Sequence, residues 1–227
     1  MLTLTWHSHA CFLLEHDGKR VIVDPFLTGN PTAVIGSSDV PKLDAVLVTH
    51  GHGDHLGDAI PLAIEHQATL VAPFELAEYA LDQGAPHVHA MHIGGAHQFP
   101  FGHVKMVTAI HGGMVEGDEG GRFTTHPCGY VVTMGGVRLY HTGDTALTLD
   151  MQLLAGRVDV MCVAIGDNYT MGPEDAARAV EFVKPKVAIP MHFGTFPILL
   201  QDPAPFVRAV GTTAKVVVLE PGKSAEF

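Results

Sequence analysis

Residues 49–58, THGHGDHLGD, concentrate imidazole and carboxylate groups directly after an apolar run. His50 and His52 are two residues apart, so both side chains can reach one cation from a strand end. Asp54 and His55 are adjacent and leave the chain in different directions, which suits a second cation. Imidazole with carboxylate is a ligand set for Zn²⁺, Mn²⁺, Fe²⁺ or Ni²⁺ rather than Ca²⁺. A lone histidine after a strand is more often a capping or core residue, but this cluster predicts a metal site.

Two glycines separate the members of this cluster. Gly51 and Gly53 remove Cβ bulk, and we expect them to permit the sharp turn that such crowding needs. The remaining ligands must come from elsewhere in the chain. Polar residues follow five predicted strands, and the carboxyl ends of strands border the crevice where open α/β sheets bind ligands. These residues are Asp24, His50, His111, Asp144 and His192.

Short apolar runs rich in β-branched residues predict most of the strands. Asp17-Gly18 and Gly135-Gly136 predict tight hairpin turns. The predicted strands cover residues 2–6, 11–16, 21–26, 45–50, 68–73, 104–111, 130–134, 137–144, 158–166, 186–192 and 215–220. Helical spacing predicts helices over 74–84, 173–184 and near 203–210. Strands followed by strand–helix alternation predict one α/β domain over 1–227, with parallel and antiparallel pairing and helices covering the sheets.

Composition narrows the class of protein. The chain has 227 residues and a formal net charge of −11, which disfavours general nucleic-acid binding but allows a small-molecule substrate. No apolar run is long enough for a membrane span, and the N-terminal residues do not resemble a signal peptide. The three scattered cysteines favour the reducing cytoplasm. Whether copies of the chain form a homo-oligomer is left open.

The segment THGHGDH matches the H-x-H-x-D-H signature of the metallo-β-lactamase superfamily. Asp24, His111, Gly143-Asp144 and His192 match the remaining motifs in order, so the resemblance spans nearly the whole chain. The sequence most resembles small metal-dependent hydrolases related to the ascorbate-phosphate lactonases. The stretches that carry this closer resemblance are HACFLL (9–14), DNYTMGPEDA (167–176) and HFGTFP (192–197).

This resemblance implies an αββα sandwich, in which two mixed sheets lie face to face with helices outside. It also implies two divalent metal ions, zinc or manganese. The implied ligands are His50, His52 and His111 for the first ion, Asp54, His55 and His192 for the second, and Asp144 as a bridge. The subgroup places a histidine from its N-terminal G-H-S motif near the site. His9 falls on that position, although Ser8 precedes it instead of glycine.

The implied chemistry is hydrolysis by a metal-bridging hydroxide. Asp54 would ligate a metal and orient the hydroxide, and Asp24 would orient a ligand imidazole. His9 is interpreted as a proton donor or oxyanion-binding residue, the alternative being a structural histidine. Asn168 and Thr170, with Tyr169 between them, either reach substrate or form the region before the next helix. The acidic, glycine-rich stretch GGMVEGDEGG (112–121) is expected to be a mobile loop beside His111 that gates the pocket, and the 112–125 loop as a whole has no assigned role.

The favoured function is a phosphodiesterase acting on a small phosphate-bearing substrate, because two cations suit displacement at phosphorus. A lactonase or carboxylic esterase uses the same hydroxide and stays open, as does a non-catalytic metal-binding module. A second group of histidines lacks cysteine or carboxylate partners and is interpreted as part of an exposed, partly strand-like segment. Its members are His87, His89, His92, His97 and His103.

Overall fold

The computed structural model describes all residues, 1–227. Its strands are β1 (Thr3–Trp6), β2 (Phe12–His16), β3 (Lys19–Val23), β4 (Ala45–Leu47), β5 (Thr69–Pro73), β6 (His87–Met91), β7 (Ala96–Phe99), β8 (Gly102–Thr108), β9 (Cys128–Met134), β10 (Val137–His141), β11 (Val160–Ala164), β12 (Val187–Met191), β13 (Lys215–Val216) and β14 (Lys223–Glu226). Its α-helices are α1 (Gly53–Leu56), α2 (Ala59–His66), α3 (Phe74–Asp82), α4 (Pro173–Val183) and α5 (Ala204–Val210). Short 3₁₀ helices cover Ser37–Asp39 and Leu149–Leu154. None of the helices is long and apolar enough to cross a bilayer.

The strands form two mixed sheets, as predicted, and each sheet has seven strands. The first has the order β14-β1-β2-β3-β4-β5-β6, and the second has the order β13-β12-β11-β10-β9-β8-β7. In the first sheet, pairing is antiparallel from β14 to β3 and parallel from β3 to β6. In the second, it is parallel from β13 to β10 and antiparallel from β10 to β7. The parallel strands of both sheets therefore bring several carboxyl ends together.

Three apolar layers hold these elements in an αββα arrangement. The largest has 27 buried residues from both sheets, Phe12 and Tyr130 among them, and lies between the sheets. A second layer packs the outer face of the first sheet against α2 and α3. A third packs β11 against α4 and α5. The Tyr130 hydroxyl donates a hydrogen bond to the Val48 carbonyl (2.9 Å), which ties the two sheets together near the strand that precedes His50.

The structure corrects several details of the predicted elements, among them strand ends that fall two to three residues earlier than predicted and the short helix α1, which was not predicted. The predicted strand over 215–220 pairs only at 215–216, because its register with β12 ends there. Strand β14 was not predicted, and its pairing with β1 joins the two ends of the chain, which no local pattern reveals. Helix α2 was also not predicted, and its Pro61 looks like a helix breaker. Pro61 is the third residue of α2, where the backbone N–H has no intrahelical partner to lose.

Asp159 joins the starts of three strands of the second sheet, at the ends opposite to the predicted ligands. Its carboxylate accepts hydrogen bonds from the backbone N–H (3.0 Å), Nε (2.9 Å) and Nη2 (3.2 Å) of Arg138. Lys186 Nζ forms an ion pair with the same carboxylate (2.9 Å). The Arg138 and Lys186 contacts hold the pKa of Asp159 below its usual range. Asp159 thus links the starts of β10, β11 and β12.

We expect Asp159→Asn to destabilise the protein by about 1–2 kcal/mol at pH 7, because hydrogen bonds to charged groups contribute about that much when partly solvated. The pKa of Asp159 is lower in the folded than in the unfolded chain, so its stabilisation is present above the usual aspartate pKa and is lost as pH falls. Denaturant unfolding should show the difference between variant and wild type shrinking below about pH 4. Asp150→Asn, at an exposed and unpaired position, is the matched control. A pH-independent difference would contradict this account.

Candidate metal centre

The carboxyl ends of five strands place the predicted site residues along one crevice. Asp24 and His192 directly follow β3 and β12, whereas the other three follow β4, β8 and β10 by three residues; these are His50, His111 and Asp144. His52 is the residue before α1, and Asp54 and His55 lie within that helix. The seven predicted ligand residues are therefore brought into one cluster by elements from both sheets.

Three imidazoles form the first ligand set. One ring nitrogen each from His50, His52 and His111 lies within 4.8 Å of the others. His50 Nε2 and His52 Nδ1 are 3.1 Å apart. The rings of His50 and His52 are nearly perpendicular to that of His111, at 84° and 75°. Three nitrogens converging in this way match the ligand chemistry of a transition-metal ion.

A second set lies beside the first and contains one residue more than predicted. Ligand atoms of His9, Asp54, His55 and His192 lie within 4.8 Å of one another. Asp144 is in contact with both sets. Its Oδ2 is 3.0 Å from His192 Nε2, 3.3 Å from His55 Nε2 and 3.6 Å from His111 Nε2. This placement would allow Asp144 to be shared by ions held at the two sets.

Several atoms of the cluster are buried and lack a hydrogen-bond partner. They are His55 Nε2, Asp144 Oδ1, and both ring nitrogens of His192. Buried polar atoms are rarely left without a partner, since each such atom costs about 1–3 kcal/mol. Bound cations would supply partners for most of these atoms at once. The residues present therefore fit a two-ion centre.

The charges of the cluster favour the same conclusion. Burial lowers the pKa of His50 well below its usual value, which keeps the ring neutral. Burial opposes ionisation of Asp144, but His192 and His55 outweigh it and hold the pKa of the carboxyl well below its usual range. Burial lowers the pKa of His55, but Asp144 and Asp24 outweigh it and raise the pKa of this imidazole well above its usual value. A cation bound at His55 Nε2 would replace the proton that this nitrogen otherwise holds.

Outer hydrogen bonds orient the ligand imidazoles. Asp24 is fully buried and accepts from the Thr49 N–H (2.8 Å), the Thr49 hydroxyl (2.7 Å) and His55 Nδ1 (2.8 Å). Because the Thr49 hydroxyl proton points to Asp24, its oxygen accepts from His50 Nδ1 (3.0 Å). Both histidines thus direct Nε2 to the centre. Asp24 contacts the His55 ring on the side away from the cluster, and its predicted role in orienting a ligand stays a prediction.

The two glycines of the THGHGDH segment are needed for a different reason from the predicted one. Neither has a positive φ. A Cβ on Gly51 would lie 2.7 Å from Val115 Cα, and one on Gly53 would lie 2.4 Å from a carboxylate oxygen of Glu116. The Gly53 N–H donates to that carboxylate (2.6 Å), and the Glu116 N–H donates to the Gly51 carbonyl (2.8 Å). The 112–125 loop therefore docks directly onto the ligand-bearing turn.

The predicted substrate residues have less defined surroundings. The Thr170 hydroxyl accepts from the Gly166 N–H (3.1 Å) and is directed to the Met171 carbonyl (3.3 Å), so it stabilises its own loop. Asn168 is exposed and makes no side-chain hydrogen bond. The structure does not bring either side chain into the ligand cluster. Their role in substrate binding stays a prediction.

Three residues of this region were not singled out from the sequence as site residues. Thr49 and Glu116 orient the ligand-bearing turn, and Thr195 lies against His9, with 2.9 Å between Oγ1 and Nδ1. Thr49 directly precedes the first ligand, and Thr195 lies within the HFGTFP stretch, so proximity to a motif is the signal that was available. No such signal was available for Glu116, because it lies 63 residues along the chain from Gly53, whose N–H donates to it.

Comparisons with known proteins agree with this fold and site. Residues 3–192 match the family model described as the beta-lactamase superfamily domain, so the chain belongs to that superfamily. Within it, the chain is 47% identical over 228 residues to a UPF0173 metal-dependent hydrolase of Desulforamulus reducens, covering 98% of each protein. It is also 46% identical over 229 residues to a UPF0173 metal-dependent hydrolase of Geobacillus sp., and the match covers 100% of each protein.

A solved structure is similar over the whole chain. Igni18, a metallo hydrolase from the hyperthermophilic archaeon Ignicoccus hospitalis, superposes with a TM-score of 0.89 at 31% identity, covering 100% of this chain and 99% of its own. The predicted fold and superfamily are thereby confirmed. The group defined by these relatives is that of the UPF0173 metal-dependent hydrolases.

We expect Asp24→Asn to weaken binding of one metal ion by about 10–100-fold, the usual effect of changing a group behind a ligand histidine. Asparagine tolerates the left-handed backbone at this position (φ 46°). Its amide can donate to His55 Nδ1, which would leave a proton on Nε2 where the metal binds. Calorimetric titration with Zn²⁺ measures the change. Asp58→Asn, which alters another buried aspartate whose partners are the Leu27 and Thr28 N–H groups, should bind metal like wild type.

We expect Gly51→Ala to destabilise the protein by about 1–3 kcal/mol, the usual cost of inserting a methyl group into packed structure. The added Cβ meets the backbone of Val115, which cannot rotate away. Displacement of the 112–125 loop should also speed tryptic cleavage after Arg122. Gly36→Ala, where the nearest atom is a side-chain oxygen 3.5 Å away, is the control. Equal stability and cleavage rates in both variants would contradict loop docking.

Proposed function

We propose that this metal-dependent hydrolase is a phosphodiesterase that acts on a small phosphate-bearing molecule. The observation that supports this most is the contact of Asp144 with both ligand sets. Two ions held next to each other, zinc or manganese by the donor set, would activate water and offset charge on both the attacking and the leaving oxygen of a displacement at phosphorus.

Two carboxylates of the centre, Asp144 and Asp54, have different positioning roles. Asp144 keeps the two imidazole sets in contact, and Asp54 lies at the edge of the second set with its carboxylate partly exposed. That exposure lets Asp54 orient a water molecule while it binds metal. Burial opposes ionisation of Asp54, but the contact with His9 and the charge of His55 outweigh it and hold the pKa of this carboxyl below its usual range, so the group is ionised at neutral pH.

A covalent nucleophile from the protein is not favoured. Cys11, Cys128 and Cys162 are buried, and burial raises the pKa of each thiol. The thiolate is the nucleophilic form of cysteine, so these side chains are unreactive. Water is therefore the preferred nucleophile.

A charge argument favours phosphate over a neutral ester. The seven predicted ligands form ion pairs only among themselves and with His9 or Asp24, and none pairs with lysine or arginine. With no lysine or arginine paired to the cluster, two divalent ions would be the main attraction for a phosphodiester. A lactone or carboxylic ester is the alternative substrate, since the same water and the same ions act on a carbonyl carbon.

The test is a hydrolysis assay with bis(p-nitrophenyl) phosphate, p-nitrophenyl acetate and a γ-lactone, each with Mn²⁺, Zn²⁺ or Ni²⁺. We expect the phosphodiester to be preferred and His52→Ala to lower its turnover by at least about a hundredfold, since changes behind a ligand already cost about 10–100-fold. His87→Ala, at an exposed position on β6, should retain activity. Turnover of the lactone or acetate alone would favour the alternative. Two bound ions without any turnover would indicate a non-catalytic metal-binding module.

A further inference from the structure

The N-terminal turn delivers a fourth side chain to the second ligand set. His9 is fully buried, its Nε2 lies 3.2 Å from Asp54 Oδ2, and its ring centroid lies 3.9 Å from that of His192. The ring is also 5.5 Å from that of His55. His9 therefore contacts all three residues that the superfamily motifs assign to the second ion.

The backbone that carries His9 is unusual and well supported. Ser8 (φ 99°) and His9 (φ 53°) both have positive φ, a conformation that residues other than glycine rarely adopt. The His9 carbonyl accepts from Trp6 Nε1 (3.0 Å) and from the His192 N–H (2.9 Å). Unfavourable backbone conformations persist where surrounding contacts enforce them, and they cluster at functional sites. The bond to His192 also links His9 to a neighbouring ligand of the same set.

The ring of His9 is oriented as the other ligand rings are. Its Nδ1 lies 2.9 Å from Thr195 Oγ1, as His55 Nδ1 lies 2.8 Å from Asp24 and His50 Nδ1 lies 3.0 Å from Thr49. Metal-binding histidines almost always donate their second ring N–H to an oxygen in this way. Nε2 is then left with a lone pair that points to the centre.

The same geometry disfavours His9 as a proton donor. Nδ1 donates to Thr195, and Nε2 faces the Asp54 carboxylate at 3.2 Å. Phe26 and Phe196 pack against the ring in T-shaped contacts, at centroid distances of 5.8 and 5.7 Å. A leaving group would have to displace Asp54 to take a proton from Nε2. A cation between Nε2 and the Asp54 carboxylate needs no such rearrangement.

We propose that His9 Nε2 is a direct ligand of the second metal ion, and that Thr195 is the positioning residue that directs it. This inference rests on the metal requirement of the proposed function. The second ion would then have three imidazoles, Asp54 and a share of Asp144, whereas the first has three imidazoles and a share of Asp144. The first ion is thus the less saturated one and the better site for water and substrate.

The test measures metal binding rather than turnover alone. Wild type, His9→Ala, Thr195→Val and the control His87→Ala are titrated with Co²⁺ by calorimetry and visible absorption, and metal content is measured after dialysis. We expect His9→Ala to weaken one of the two binding events by more than about a hundredfold and to change the Co²⁺ spectrum, since loss of a ligand exceeds the 10–100-fold effect of an outer group. Thr195→Val should weaken the same event by about tenfold, and His87→Ala should match wild type.

Two other results would overturn the inference in different ways. Unchanged affinities and spectra in His9→Ala and Thr195→Val, with a lower rate of hydrolysis in His9→Ala, would return His9 to the role of proton donor and leave the proposed function intact. Absence of metal binding by wild type would overturn the proposed function as well. Far-ultraviolet circular dichroism checks folding, and if His9→Ala fails to fold, the Thr195→Val titration alone decides the outcome.

Discussion

The crowding of imidazole nitrogens and carboxylate oxygens in one buried crevice is the constraint on which the rest of the structure depends. Contacts of 3.0–3.6 Å join Asp144 to histidines of both sets, and several of the participating atoms have no other partner. Such a cluster is costly unless positive charge neutralises it. Bound cations would offset that cost, which fits the metal-dependent hydrolases to which this chain is similar.

The direction of the strands in the two sheets brings the crowded side chains together. Parallel pairing in both sheets places the ends of β3, β4, β10 and β12 along one crevice. The apolar layer between the sheets fixes their separation, and the contacts of Asp159 hold β10, β11 and β12 in register from the opposite end. The ligand geometry is therefore set by elements far from the ligands themselves.

A second level of organisation lies behind the ligands. Thr49, Asp24 and Thr195 each hold the outer nitrogen of a histidine ring, and Glu116 fixes the turn that carries four of the predicted ligands. These contacts use left-handed backbone at Asp24, His9 and His192. Strain at three site residues is consistent with pre-organisation, since the rings are held in place before any ligand arrives.

The class of fold and a cluster of candidate metal ligands could be predicted from the amino-acid order alone, because the H-x-H-x-D-H spacing and the residues after each apolar run are local features. The same reasoning predicted a role for Asp24 behind a ligand ring. Contacts between distant segments could not be predicted in this way. Examples are the pairing of β14 with β1, the docking of Val115 and Glu116 on Gly51 and Gly53, and the approach of Thr195 to His9 across 186 residues. No periodicity or motif encodes such contacts, because they exist only once the two sheets have packed together.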